Sequence, residues 1–175
     1  MRMRNIQMLG ILKVMITQHI SFSISITIIS WIVGMAFNSL LRKTKYYEKL
    51  SNLSLIKSKS LQKAIQLSWF KWVVKNTFFK YFNPKLKLKS KPEIIELEEL
   101  REEMTFAELN HLVGFFFVSI FVFDKFFDGL YLFGFIMMLV NILLNLYPSL
   151  LQQQNKSRID RFIKDIPNKP IKSDA

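Results

Sequence analysis

The chain has 175 residues and a formal charge of +12, and half of its residues are apolar, 17 of them Phe. A chain this short cannot easily hide so much apolar surface inside one globule. The absence of Cys excludes disulfide frameworks, thiolate metal sites and a Cys nucleophile. The basic excess would suit nucleic acid or an anionic membrane surface; long uncharged runs beside the basic segments, and no recognisable nucleic-acid module, favour the membrane.

No charged side chain lies between Lys13 and Arg42. Residues 14–41 are therefore predicted to form the first transmembrane helix, since residues 14–37 alone would cross a hydrocarbon core of about 30 Å as a helix. Arg2, Arg4 and Lys13 precede the run as they would in a signal peptide, but the run is too long and lacks a convincing small-residue cleavage site. Its β-branched and Ser-rich middle (Ile24, Ile26, Thr27, Ile28, Ile29 among Ser21, Ser23, Ser25 and Ser30) would weaken a helix in water. In lipid the backbone must satisfy itself internally, and the helix is expected regardless.

Residues 42–104 read as a basic loop divided by charge: 14 basic residues and one acidic lie between positions 42 and 92, and six Glu crowd positions 93–103. Within the basic half, Leu61, Ile65, Trp69, Trp72, Val73 and Phe79 fall on one side of a helix, with Lys59, Lys63, Lys71 and Lys75 on the other. That pattern predicts an amphipathic interfacial helix anchored by Trp69 and Trp72, with snorkelling lysines. A basic helix packed on the chain's own spans fits it equally well. Asn83-Pro84 would end it.

Residues 105–151 read as a transmembrane helical hairpin, because Asp124, Lys125 and Asp128 interrupt the apolar run and Gly129 supplies a turn. Residues 152–175 form the tail, expected to be disordered from about Pro167. The loop and tail hold 15 and 6 Lys or Arg, against 3 before the first span and 1 in the hairpin turn. Loop and tail are accordingly expected in the cytoplasm and the amino terminus outside, in the inner membrane of a bacterial cell. The fold class is an all-α integral membrane protein with three transmembrane helices and a cytoplasmic amphipathic helix.

Ionisable side chains inside spans need partners or water and are candidates for function. Glu108 and His111 stand three apart, on one helix face, near the start of the second span. As chemistry, Glu108 would orient His111 to take a proton from an alcohol; as structure, the two mark the wet end of a helix. Spacing alone favours structure. A carboxylate-bridged metal site would need a second Glu-x-x-His motif and further Glu ligands, whereas the chain has only His19 besides His111; no metal and no cofactor are expected. Toward the end of the third span stand Asn145, Tyr147 and Pro148, then Gln152, Asn155, Lys156 and Arg158. Gln152, Asn155 and Arg158 recur every three residues, roughly on one side, and would suit an anionic group; Pro148 is expected to bend the helix and free a carbonyl.

Positions 103–158 resemble the glycosyl-4,4'-diaponeurosporenoate acyltransferases, small membrane proteins of staphyloxanthin-type carotenoid synthesis. The marks are Ala107-Glu108-x-x-His111 opening one span, and Asn145-x-Tyr147-Pro148 with Gln152-x-x-Asn155-Lys156-x-Arg158 closing the next. The chain departs from the family's usual pattern at Phe106, Leu112, the Gln153-Gln154 pair and Lys156, where the family commonly has Arg, Trp, an Arg-aromatic pair and Arg. The resemblance implies an acyltransferase-like protein acting on a glycosylated isoprenoid or glycolipid at the cytoplasmic face. His111 would be the general base and Glu108 its orienting carboxylate, while Asn145, Tyr147, Gln152, Asn155, Lys156 and Arg158 would bind substrate. The alternative is a non-catalytic small subunit or scaffold packed against a membrane-protein partner, with the polar clusters as interhelical glue and the Phe runs as packing surface.

Overall fold

The computed structural model describes residues 2–52, 72, 76 and 93–166, with side chains from residue 6 onward. In those residues it is all-helical: α1 (Arg2–Leu41), the short α2 (Tyr46–Ser51), α3 (Ile94–Phe127), α4 (Tyr131–Asn141), a π-helical segment (Ile142–Leu146) and α5 (Tyr147–Asp165). Three helical runs are long and apolar enough to cross a membrane: Ile6–Leu41, Ile94–Phe127 and Tyr131–Asp165, the last continuous through α4, the π segment and α5. Of the expected interfacial helix, Trp69 and most of the stripe lie outside the described residues. Trp72 and Asn76 are helical, and Trp72 is exposed. The tail beyond position 166 also lies outside them.

The helices extend past the expected spans. Apolar length sets the membrane portion, but nothing in the flanking charged segments breaks the helix. Residues 94–104, read from sequence as loop, continue into α3 without interruption, and the third helical run continues through position 158 to Asp165. At about 1.5 Å per residue the 34 residues of α3 span about 51 Å, well beyond a hydrocarbon core of about 30 Å. The surplus packs against α5: Leu97, Met104 and Ile159 are buried together, flanked by Leu100, Ile163 and Ile166. This end, where α1 finishes and α3 begins, is called the loop side below.

Within the spans α3 runs antiparallel to both neighbours. Ile26 of α1, Val118 and Val122 of α3 and Met137 of α4 make the apolar core, with Phe117, Phe121, Phe126, Phe133 and Met138 around it. The hydroxyls of α1 turn inward on their own helix, Ser23 donating to the His19 carbonyl at 2.7 Å and Thr27 to that of Ser23 at 2.7 Å. This is how a Ser-rich segment tolerates lipid. The hairpin turn closes on Gly129 at φ +74, the left-handed conformation expected of a glycine there.

Gly34 marks the closest approach of α1 to α3: a Cβ built there would lie 2.4 Å from the Asn110 carbonyl oxygen. Just beyond, Asn38 donates to the Phe106 carbonyl at 2.9 Å and to Asn110 Oδ1 at 2.8 Å. Gly34→Ala is expected to cost about 1–3 kcal/mol through backbone displacement, whereas Gly10→Ala, which meets nothing within 4 Å, should be neutral. Denaturant titration in bicelles would compare them; equal stability of the two variants would rule out this contact as a determinant of packing.

Candidate functional site

The polar residues of the spans gather in two levels along α3. The level nearer the loop side is centred on Glu108, whose carboxylate is buried and has both oxygens engaged. Gln153 Nε2 donates to Oε1 at 2.9 Å and Lys156 Nζ to Oε2 at 2.5 Å. Only 4% of the Lys156 side chain and 1% of the Glu108 side chain are exposed. Lys156 also donates to the Ser51 carbonyl at 2.6 Å, serving an acceptor at the carboxyl end of α2 that the helix itself leaves open. This clasp joins α2, α3 and α5.

Lys156 reaches Glu108 because side chains on a helix lean toward its amino terminus, which on α5 means into the bundle. Arg158, expected with Gln152 and Asn155 to suit an anionic group, lies about 200° round the helix from Lys156 at 3.6 residues per turn, and it is exposed. Gln152 and Asn155 are half-buried. The three-residue repeat of Gln152, Asn155 and Arg158 therefore does not define the inward face. Gln153 and Lys156 do, with Ser149 buried one turn before Gln153.

The deeper level contains His111. Its ring meets Trp31 of α1 edge-on, with centroids 6.1 Å apart, and lies beside the Asn145 side chain. Nδ1 is buried without a hydrogen-bond partner among the described residues. Glu108, which the resemblance makes the orienting carboxylate, has both oxygens engaged by Lys156 and Gln153, as a buried carboxylate is stabilised most by a cation within contact distance.

Asn145 is the hub of this level. Its amide donates to Ser30 Oγ at 3.1 Å and Asn141 Oδ1 at 2.9 Å, and its Oδ1 accepts from Trp31 Nε1 at 3.0 Å. Asn141 in turn donates to the Phe115 carbonyl at 3.0 Å. Gly114 makes room for the network, since a Cβ there would stand 3.0 Å from both Asn145 Oδ1 and Ser30 Oγ. Tyr147 packs on Leu150 and Leu151.

Trp31, Ser30, Asn141, Ser51 and Gln153 were not among the expected site residues. A signal for some of them was present: Asn141, Asn145, Ser149 and Gln153 repeat every four residues, followed by Lys156. Four residues overshoot one α-helical turn by about 40°, so over three repeats the row would drift off one face. The wider π segment between Asn141 and Tyr147 takes back part of that drift. It adjoins Pro148, whose ring displaces the carbonyl four residues earlier.

Beyond the clasp, toward the loop side, an open cleft of about 660 Å³ lies between α2, α3 and α5, with Tyr47, Glu48, Ser51, Glu98, Thr105 and Asp160 in its lining. Ser51 belongs to both cleft and clasp.

A family model described as glycosyl-4,4'-diaponeurosporenoate acyltransferase matches residues 43–165. The match takes in α2, α3, α4 and α5, hence Glu108, His111, Asn145, Gln153 and Lys156, and leaves α1 outside. No curated protein and no solved structure matches the chain.

Proposed function

The chain belongs to the glycosyl-4,4'-diaponeurosporenoate acyltransferase family, and from that premise we propose that it transfers a fatty acyl group to a sugar hydroxyl of a glycosylated isoprenoid. The observation that carries the chemical reading is His111, with a buried ring nitrogen that has no hydrogen-bond partner among the described residues, beside the Asn145 side chain. Such a nitrogen is available to take a proton from an alcohol. As the hydroxyl oxygen bonds to the acyl carbon, the bond to the donor's leaving group breaks. The proton held by His111 passes to that leaving group. Asn145 takes the orienting role that the sequence suggested for Glu108, since it is itself held by Ser30, Asn141 and Trp31.

Glu108 and Lys156 in this scheme support the site rather than bind substrate. Gln152, Asn155 and Arg158, nearer the loop side, would meet the polar part of the donor. The test is pigment and lipid mass spectrometry of cells lacking the gene, complemented with the chain or with an empty vector. The acylated glycolipid is expected only with the chain; its absence, together with copurification of a membrane-protein complex, would favour the scaffold reading.

We further propose that the loop side is cytoplasmic, because 21 of the 25 Lys and Arg lie in the loop and tail. Reporters fused after Lys91 and at the carboxyl terminus should read cytoplasmic and one inserted at Asp128 external. A cytoplasmic reading at Asp128 would reverse the orientation.

A further inference from the structure

In the deeper polar level the hydrogens are placed by groups that have no choice. Ser30 donates to the Thr27 carbonyl at 2.6 Å, and a hydroxyl has one hydrogen, so toward Asn145 its oxygen can only accept. Asn141 sends its Nδ2 to the Phe115 carbonyl at 3.0 Å and to Ser119 Oγ at 3.3 Å, which leaves its Oδ1 to meet Asn145. Both hydrogens of the Asn145 amide are thereby fixed, one on Ser30 at 3.1 Å and one on Asn141 at 2.9 Å. Trp31 fixes the other end of the amide. An indole N–H is a donor only, and it reaches Asn145 Oδ1 at 3.0 Å.

Asn145 therefore has one group left to offer, the second lone pair of Oδ1. The His111 ring lies beside this side chain, and Trp31 meets the ring edge-on, the two planes 85° apart. A neutral imidazole carries one N–H and one lone pair. Toward an acceptor it turns the N–H, and the other nitrogen keeps the lone pair. Nδ1 is the nitrogen that is buried with no partner among the described residues.

We infer that Trp31 is a positioning residue: by holding Asn145 Oδ1 toward the ring, it fixes neutral His111 with its hydrogen on Nε2 and its lone pair on Nδ1. Trp31 and Ser30 belong to α1, which lies outside the matched residues 43–165, so the first helix is part of the site as well as a membrane span. The inference deepens the acyltransferase reading and rests on it only for the reaction. The hydroxyl's proton goes to Nδ1 as its oxygen bonds to the acyl carbon and the bond to the leaving group breaks; Nδ1 then returns the proton to the leaving group. While the ring is charged, Nε2–H keeps Oδ1 as the acceptor of a charge-assisted bond. The opposite tautomer would put a hydrogen on the nitrogen that must take one, and would set the lone pairs of Nε2 and Oδ1 against each other.

The test is ¹⁵N NMR of the full chain in bicelles with labelled histidine, in a His19→Gln background that leaves His111 as the one histidine. Protonated and unprotonated ring nitrogens differ in shift, and Nδ1 is told from Nε2 by its couplings to the ring hydrogens. In the neutral ring the Nε2–H tautomer should be in about tenfold excess, as one net hydrogen bond allows. Trp31→Phe keeps an aromatic edge against His111 but has no donor. It should lower that excess about threefold and reduce kcat for ester formation rather than raise KM, and Trp31→Phe/Ser30→Ala, which removes both α1 anchors, should bring the tautomers near parity. Hydrogen on Nδ1 in the chain with Trp31 intact would overturn the inference, and this spectrum needs no variant at the site. So would an unchanged tautomer ratio in both variants, even with lower stability, since Trp31 would then be packing alone. The expected ratios without ester formation in cells would overturn the acyltransferase reading and leave the role of Trp31 standing. Ester formation with hydrogen on Nδ1 would do the reverse.

Discussion

Lys156→Met is expected to destabilise the bundle by about 3–5 kcal/mol, the range for removing one partner of a buried ion pair. The variant leaves the Glu108 carboxylate, 1% exposed, with Gln153 as its one remaining donor among the described residues. It also removes the donor to the Ser51 carbonyl and with it the tie between α2 and α5. Much of the cost is the uncompensated charge rather than the lost attraction. The double variant Glu108→Leu/Lys156→Met should accordingly recover most of the stability, since a well-packed apolar pair is often as stable as a buried ionic one. Lys156→Arg preserves the charge but must fit a planar fork where a single ammonium now sits between carboxylate and carbonyl, so it should fall between wild type and Lys156→Met. Denaturant titration in bicelles measures all three. A double variant as unstable as Lys156→Met would show that the pair is not what the lysine stabilises.

His111→Ala should lower ester formation by about 10²–10⁴-fold, the usual contribution of a positioned general base, while costing no more stability than the lost packing of the ring on Trp31. The ring has one buried nitrogen without a partner among the described residues, so truncation strands no hydrogen bond there and even relieves an unsatisfied group. Asn145→Ala should behave differently. It frees Trp31 Nε1, Ser30 and Asn141 together and should lower stability and activity in parallel. The separation of the two variants is the diagnostic readout. If His111→Ala loses stability in proportion to its activity, the histidine is interhelical glue and the general-base role is wrong.

Some of this architecture was legible in the sequence because it depends on properties summed along one helix or set by one residue. Uncharged length is enough to identify three apolar helices, and Asp124, Lys125 and Asp128 before Gly129 are enough to place a turn. Length of apolar run does not tell where a helix stops. Glu-rich positions 93–103 are good helix formers, and they extend α3 as a single rod once Leu97, Leu100 and Met104 have Ile159 and Ile163 to pack on. The resemblance drew attention to the right segment. It could not say which of its polar residues face one another.

That last question is one of rotation. Gln152, Asn155 and Arg158 form as regular a row as Gln153 and Lys156, and in sequence nothing distinguishes a row facing inward from one facing outward. The inward row is selected by the phase of α5 relative to α3, and that phase passes through a π segment and a proline whose combined rotation is set by packing. Sequence by itself therefore determined a helical membrane protein, its hairpin turn and the helix ends at which polar groups collect. Only the tertiary structure decided that Lys156 rather than Arg158 meets Glu108, and that Asn145 rather than Glu108 stands by His111. A charge in a low-dielectric interior is stabilised by what lies within a few ångströms, a distance that opposite faces of one helix cannot share.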